Sequence, residues 1–243
     1  MDMFEHQFEK EKLKEAPLAA RMRPASFDDF VGQEHLIGEG RVLRKAIESG
    51  RLPSIILWGP PGSGKTTLAY IIASTISSHF SPVSAVSAGV ADLRRIVAEA
   101  KKRRKASQQK TILFIDEIHR FNKAQQDAIL PYVEDGTITL IGATTENPSF
   151  EVISPLLSRS QVLTLKPLTD DEIGTIISRA QGDRPLGLGS LGVELADDAL
   201  AHLITMSNND ARIALNTLEI AALTTPPAAD GRRHISLATI EDA

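Results

Sequence analysis

Short apolar runs alternate with longer amphipathic segments over the first two thirds of the chain. A continuous apolar run predicts a strand whose two faces are both covered. Such runs occupy residues 55–58, 83–87, 111–115, 137–143 and 161–165. Helical periodicity is found at 41–49, 65–78, 90–106 and 123–135. This alternation predicts an α/β domain built on a mostly parallel, five-stranded sheet.

The pattern changes after residue 166. Helices are predicted at 170–181, 197–206 and 210–223, and Thr169 with Glu172 forms a capping box at the start of the first. Turn-rich segments at 182–192 and 224–231 separate these helices. We therefore expect a charged N-terminal arm at 1–16, an α/β domain at 17–166 and a small all-helical domain at 167–243.

Composition excludes several classes of protein. The 243 residues carry a net charge of −4 and contain no cysteine, so the whole molecule is not a cationic nucleic-acid binder, and disulfides and thiolate metal sites are excluded. No apolar run reaches the length of a membrane span. The first fifteen residues are charged and do not resemble a signal peptide, so we expect a cytoplasmic protein.

A phosphate-binding loop follows the first predicted strand. It has the pattern G-x-x-x-x-G-K-[ST], in which glycines allow backbone N–H groups to point at a phosphate and the following helix adds its positive end. The lysine reaches the β- and γ-phosphates, and the last hydroxyl is a ligand for Mg²⁺. The eight residues are Gly59, Pro60, Pro61, Gly62, Ser63, Gly64, Lys65 and Thr66.

Polar residues also end the strands predicted at 111–115 and 137–143. Asp116 fits the Walker B role of holding Mg²⁺, and Glu117 is placed to polarise the attacking water. At the end of the next strand, a polar side chain would contact the γ-phosphate or the water. We favour Thr145 for this sensor role, ahead of Thr144 and Asn147.

Other charged residues have ordinary structural interpretations when spacing alone is considered. Arg159 could be an arginine finger and Arg212 could contact the nucleotide, but a surface position is the simpler explanation for each. The basic run at 101–105 suits a solvated helix end better than a nucleic-acid patch. His119 has no neighbouring His or Cys in sequence, so a structural or phosphate-sensing role is favoured over metal binding.

Taken together, these motifs resemble an AAA+ ATPase of the clamp-loader branch, with a P-loop core and a helical lid. More specifically, four segments resemble the RarA/MgsA family, relatives of the Werner helicase-interacting protein. They are residues 17–24, 116–123 (Asp-Glu-Ile-His-Arg-Phe-Asn-Lys), 134–139 and 142–150 (Gly-Ala-Thr-Thr-Glu-Asn-Pro-Ser-Phe). The similarity runs from about Pro17 to the C-terminus.

The resemblance implies site roles for a larger set of residues. Arg159 would be the finger offered to a neighbouring subunit, Arg212 the second sensor and Thr145 the first sensor. ATP would be bound through residues 62–67, which add Thr67 to the loop, and Mg²⁺ through Thr66 and Asp116. The residues expected near the adenine are Met22, Arg23, Pro24 and Val31.

The resemblance also implies a function. The family acts at stalled replication forks and in recombination, on DNA ends or single-strand gaps, alongside single-strand-binding protein, as a homo-oligomer associated with the nucleoid. Two departures concern the second sensor: Asn209 stands where family members often have Gly, and Ile213 where they often have Arg. Family members also continue into a C-terminal oligomerisation region beyond the position of Ala243.

Two other functions remain open at this stage. The first is a clamp-loader subunit or a Holliday-junction motor, which shares the catalytic parts but needs other partners. The second is a nucleotide-binding switch or scaffold that binds ATP with little turnover, since a finger acting between subunits requires an assembled neighbour.

Overall fold

The computed structural model describes residues 15–243, so most of the predicted N-terminal arm lies outside the described residues. The chain divides into two compact units. One is Pro24–Lys166, and the other is Pro167–Ala243 together with the segment that ends at Arg23. Each unit has its own hydrophobic core.

A parallel five-stranded sheet forms the centre of the first unit, in the order β2-β3-β4-β1-β5. This confirms the predicted α/β fold. The strands are β1 (Ser54–Trp58), β2 (His79–Ser84), β3 (Thr111–Asp116), β4 (Thr139–Thr144) and β5 (Ser160–Thr164).

The prediction for β2 was wrong by several residues. The apolar run at 83–87 suggested a strand there, but residues 85–87 form a turn and the strand begins at His79. Pro82 lies inside β2, opposite Phe114 of β3. Proline is tolerated because β2 is an edge strand.

Helices connect the strands and build the second unit. In chain order they are α1 (Leu18–Arg21), α2 (Glu34–Ile37), α3 (Val42–Glu48), α4 (Lys65–Thr75), α5 (Val90–Ser107), α6 (Lys123–Glu134), α7 (Pro148–Glu151), α8 (Ser154–Leu157), α9 (Asp170–Gly182), α10 (Asp197–Met206), α11 (Ala211–Thr224) and α12 (Leu237–Glu241). The predicted capping box is present on α9, where Thr169 accepts a hydrogen bond from the Glu172 N–H.

Both faces of the sheet are buried, which explains the continuous apolar runs. In β1, Ile55 and Leu57 belong to one hydrophobic cluster, whereas Ile56 belongs to the cluster on the opposite face. In β3, Ile112 and Leu113 are divided between the faces in the same way. Because the strands are parallel, the carboxyl ends of β1, β3 and β4 lie along one edge, with β4 between the other two.

The segment before Pro24 packs with the helical unit, which differs from the domain boundary expected at residue 17. Leu18 is fully buried (0% exposed) in the core formed by α9, α10 and α11. Its N–H donates to Glu219 of α11 at 2.7 Å, and Arg21 forms an ion pair with the same carboxylate. A buried leucine and an ion pair therefore hold α1 in this unit.

The helical unit also contains a small sheet that the sequence analysis missed. Strands β6 (Val193–Leu195) and β7 (Arg233–Ile235) pair in parallel. Three residues are too few to produce a visible alternation of polar and apolar positions. Over residues 15–243, no helix has both the length and the apolar character needed to cross a bilayer.

Candidate functional site

The phosphate loop lies between the carboxyl end of β1 and the start of α4. Gly62 and Gly64 have φ of 69° and 92°, which side chains other than glycine rarely adopt. A Cβ built on Gly64 would lie 2.7 Å from Cζ of Phe30. Glycine at position 64 is therefore required both by the backbone angle and by the close approach of Phe30.

Side chains of the loop make bonds within the loop. The Lys65 ammonium donates to the carbonyl oxygens of Gly59 at 2.9 Å and Pro60 at 2.7 Å. The hydroxyl of Ser63, which is buried, donates to the Pro60 oxygen at 2.9 Å. These bonds fix the shape of the loop before a ligand enters.

Gln33, for which the sequence predicts no role, lies against the phosphate loop. It is 4% exposed and has a left-handed φ of 63°. Its amide donates to the Lys166 oxygen at 2.8 Å and accepts from the Lys166 N–H at 2.9 Å. The same amide nitrogen lies 3.5 Å from the Ser63 oxygen. One side chain thus ties the phosphate loop to Lys166, the second residue after β5.

Asp116 is the last residue of β3, and Glu117 follows it with a left-handed backbone (φ 52°, ψ 49°). This conformation is uncommon for a glutamate and costs roughly 1–3 kcal/mol. The Glu117 N–H donates to Oδ1 of Asp116 at 3.2 Å. Its carboxylate pairs with Nε of Arg120 at 2.7 Å. Backbone strain at this position is typical of a functional site.

The end of β4 contains a buried hydroxyl. Thr144 is 1% exposed, and its Oγ1 accepts from the Glu146 N–H at 3.0 Å. Nδ1 of His119 lies 3.0 Å from the same oxygen. The Thr144 hydroxyl is therefore committed to bonds inside the protein.

The other two sensor candidates differ in how their side chains are used. Asn147 caps α7, since its Oδ1 accepts from the Ser149 N–H at 3.0 Å. Thr145 has an exposed side chain, and its carbonyl accepts a hydrogen bond from the indole of Trp58 at 3.3 Å. The exposed hydroxyl is consistent with the choice of Thr145, which stays a prediction.

Arg159, just after α8, is held by its own subunit. Its Nη2 pairs with Glu134 at 2.6 Å, and its Nη1 donates to the Pro155 oxygen and to the Ser158 hydroxyl, each at 2.9 Å. The side chain is 42% exposed. A partly exposed arginine with a defined direction is suited to contact a neighbouring molecule.

The basic run on α5 is largely used in local contacts. Nζ of Lys101 lies 4.6 Å from the centre of the Tyr132 ring, and Arg104 donates to the Gly136 oxygen at 2.8 Å. These contacts support the structural interpretation of the run.

Not all the predicted site residues belong to one unit. Arg212 lies in the helical unit, where its guanidinium binds both carboxylate oxygens of Asp210, at 3.3 and 3.1 Å. Met22 packs against the core of the helical unit. Arg23 is the last residue of the N-terminal segment that belongs to that unit. The predicted residues that fall in the α/β unit are Pro24, Val31, residues 59–67, Asp116, Glu117, Thr145 and Arg159.

Two family models match this chain. One is described as the P-loop domain of the Holliday junction DNA helicase RuvB, and it matches residues 22–154. The other is described as an AAA C-terminal domain and matches residues 189–243. Together they cover most of both units.

Curated relatives carry related names. Replication-associated recombination protein A of Haemophilus influenzae is 53% identical over 204 residues, which are 84% of this chain and 46% of that protein. The Escherichia coli K12 protein of the same name is 51% identical over 85% of this chain and 46% of its own length. ATPase WRNIP1 of Dictyostelium discoideum is 46% identical over 85% of this chain and 23% of that protein. The chain thus spans about half the length of the first two relatives.

Solved structures also share the fold. The Thermotoga maritima RuvB Holliday junction branch migration motor superimposes with a TM-score of 0.71 and 32% identity, covering 91% of this chain and 72% of that one.

We predict that Gln33→Ala weakens both the fold and nucleotide binding. Its loss removes the two part-buried bonds to the Lys166 backbone, at about 0.5–1.5 kcal/mol each, so the free energy of unfolding should fall by about 1–3 kcal/mol. Nucleotide affinity should fall about tenfold, equivalent to about 1.4 kcal/mol of lost support for the loop. Urea unfolding and titration with a fluorescent nucleotide measure the two effects.

Gln109→Ala is the matched control, because Gln109 is exposed and its amide donates to the Ser77 oxygen at 3.4 Å, away from the phosphate loop in sequence. Unchanged nucleotide affinity in Gln33→Ala would show that the loop does not depend on this side chain.

Proposed function

The chain belongs to the AAA+ P-loop ATPase family that includes replication-associated recombination protein A, and on that premise we propose that it binds and hydrolyses ATP to act on DNA during replication and recombination. The observation that carries this proposal is the arrangement at one sheet edge. The phosphate loop follows β1, the Asp116–Glu117 pair ends β3, and the sensor candidates end β4, which lies between those strands.

ATP is proposed to bind through the phosphate loop. The left-handed glycines expose N–H groups, and the N-terminal end of α4 adds a positive dipole, so the loop suits an anion. Lys65 would exchange the carbonyl oxygens of Gly59 and Pro60 for phosphate oxygens, which are stronger acceptors because they are charged. Thr66 and Thr67, at the start of α4, would complete the contacts.

The available side chains fit Mg²⁺. Thr66 supplies a hydroxyl and Asp116 a carboxylate, and Mg²⁺ binds proteins through one or two such oxygens together with water and substrate phosphates. In the described part of the chain, no three His, Cys, Asp or Glu side chains are grouped to hold a metal by themselves. That fits an ion held jointly with the nucleotide, where it would neutralise charge on the phosphates.

Glu117 is proposed to orient and polarise the attacking water, and Thr145 to contact the γ-phosphate. The strained backbone of Glu117 and its N–H bond to Asp116 fix the residue next to the end of β3, and the ion pair with Arg120 orients the carboxylate. Positioning and electrostatics supply most of the catalysis in phosphoryl transfer, so a fixed carboxylate is what this reaction requires.

Arg159 is proposed to complete the site of a neighbouring subunit in a homo-oligomer. To do so it would leave Glu134 for the anionic phosphoryl group. The exchange costs little, because a half-exposed ion pair contributes only about 0–1 kcal/mol. Arg212 is proposed as the second sensor, and Met22, Arg23, Pro24 and Val31 as contacts to the adenine.

The biological role is proposed from the relatives. Replication-associated recombination protein A is named for replication and recombination, and we assign this chain to fork maintenance and repair. DNA ends, single-strand gaps and forks are the proposed substrates, and single-strand-binding protein the proposed partner. A cytoplasmic, nucleoid-associated location follows from that role.

A Holliday-junction motor is the second candidate, favoured by the family model of RuvB and by the superposition on its branch migration motor. We expect ATP turnover to be stimulated most by forked or gapped DNA, because the relatives of higher identity are the recombination proteins. An ATPase assay with forked, gapped and four-way DNA of equal length distinguishes the two functions. Stimulation by four-way DNA alone would favour the motor, and stimulation that requires a sliding clamp on primer–template DNA would favour a clamp loader.

We predict that Glu117→Gln retains ATP binding and loses hydrolysis. The amide keeps the size of the side chain but cannot take a proton from water, so turnover should fall at least about a hundredfold. Fluorescent-nucleotide titration and phosphate release measure the two properties. Glu48→Gln, on the exposed face of α3, is the control. Normal hydrolysis by Glu117→Gln would exclude this residue as the group that polarises the attacking water. A wild-type protein that binds ATP without turnover would instead be a nucleotide-binding switch.

We predict that Arg159 acts between subunits. Arg159→Ala alone should lose about a thousandfold in turnover, as expected for an arginine finger. Mixed with an equal amount of Glu117→Gln, which still offers Arg159, it should regain about a quarter of the wild-type turnover, since random pairing gives about one interface in four with both an intact finger and an intact site. Phosphate release in titrated mixtures measures this, with Arg94→Ala as the exposed-arginine control. A mixture no more active than its components would contradict action in trans.

A further inference from the structure

A three-residue 3-10 turn, Ile118–Arg120, follows Glu117 directly, and its first residue anchors it to β4. Ile118 is fully buried. A Cβ built on Gly142 of β4 would lie 3.0 Å from Cδ1 of Ile118 and 2.8 Å from Cδ1 of Ile56. The absence of a side chain at position 142 therefore lets the turn sit against the strand.

The second residue of the turn reaches the end of β4. Nδ1 of His119 lies 3.0 Å from Oγ1 of Thr144. That hydroxyl accepts from the Glu146 N–H at 3.0 Å and lies 3.3 Å from the Glu146 oxygen. A threonine hydroxyl has one donor and two acceptor positions. When Nδ1 of His119 carries the proton, it donates to Oγ1, and the hydroxyl can bond His119 and both Glu146 groups together. When Nδ1 carries no proton, the single hydroxyl proton is shared between Nδ1 and the Glu146 oxygen.

The third residue of the turn contacts the carboxylate that precedes it. Nε of Arg120 donates to Oε2 of Glu117 at 2.7 Å, and Glu117 has the left-handed backbone described above. Through Arg120, the turn therefore fixes the direction of the Glu117 side chain. Through His119, the same turn contacts the strand end from which the loop beginning with Thr145 leaves.

We propose that His119 is a positioning residue for ATP hydrolysis, because it joins the turn that carries Glu117 to the strand end that carries Thr145. This inference rests on the proposed hydrolysis. His119 acts through Thr144 and Glu117 and contacts no reacting atom itself. Its bond fixes the separation between the group that orients water and the group that contacts the γ-phosphate.

The positioning role of His119 can be distinguished from a role in folding, because another residue anchors the turn. Ile118 already provides the buried contact that holds the turn on the sheet, whereas His119 is only half-buried. Loss of the imidazole should therefore leave folding and nucleotide binding nearly intact and affect the chemical step. A displacement of about 1 Å in a catalytic group costs up to about a hundredfold in rate.

The experiment compares His119→Ala and His119→Asn in the full chain. His119→Ala should lower kcat by about ten- to hundredfold while the Kd for a fluorescent nucleotide changes less than about twofold. His119→Asn should retain kcat within about threefold, because its amide can still bond to the Thr144 hydroxyl. His202→Asn in α10 is the matched control. Equal loss in the Ala and Asn variants, or a loss confined to nucleotide affinity, would overturn the proposal.

A double-mutant cycle with Thr144→Val tests the bond itself. If His119 acts through Thr144, the double variant should lose little more kcat than Thr144→Val alone, because contacting residues are not independent. Fully additive effects on log kcat would overturn the proposal.

Failure of the proposed function is distinguishable from failure of this inference. A wild-type protein that binds nucleotide but does not hydrolyse it would contradict the proposed function. In that case, amide hydrogen exchange at residues 144–147 tests whether the His119–Thr144 bond holds the end of β4. Exchange should be faster in His119→Ala and unchanged in His119→Asn, and equal protection in all three proteins would overturn the inference.

Discussion

Burial of both faces of the parallel sheet is the constraint on which the α/β unit depends. It requires that alternate residues of β1, β3 and β4 be apolar on either side, and it leaves polar groups only where the strands end. Parallel pairing then brings these ends to one edge, with β4 between the strands that carry the phosphate loop and the acidic pair. The candidate site is therefore a consequence of how the core is covered.

At that edge the backbone departs from ordinary geometry, and packing holds it there. Gly62, Gly64 and Glu117 have positive φ. Phe30 lies against Gly64, and the turn after Glu117 lies against Gly142. Strain persists where the surroundings over-determine it, so these packed neighbours supply the rigidity that the proposed phosphate-binding and water-orienting roles require.

Two of the proposed site arginines, in contrast, are held by ion pairs. Arg159 pairs with Glu134, and Arg212 pairs with Asp210 in the helical unit. The half-exposed Arg159 pair is weak, so this arginine can exchange its carboxylate for a more strongly charged phosphate without disturbing a core. The Arg212 side chain is itself exposed, although Asp210 is buried. These properties fit residues proposed to respond to nucleotide, whereas Lys65 and Gln33 are held by backbone groups within the unit.

The sequence by itself determined what depends on local pattern. The phosphate loop, the acidic pair after β3, the capping box on α9 and four of the five strands were predictable, because each is encoded within a few consecutive residues. Tertiary structure decided what depends on distant partners. Gln33 meets Lys166 across 133 positions, α1 joins α11 through Glu219, and His119 meets Thr144 across 25 positions. A side chain carries no local mark of a partner that only chain topology brings within bonding distance, so no pattern could reveal these contacts.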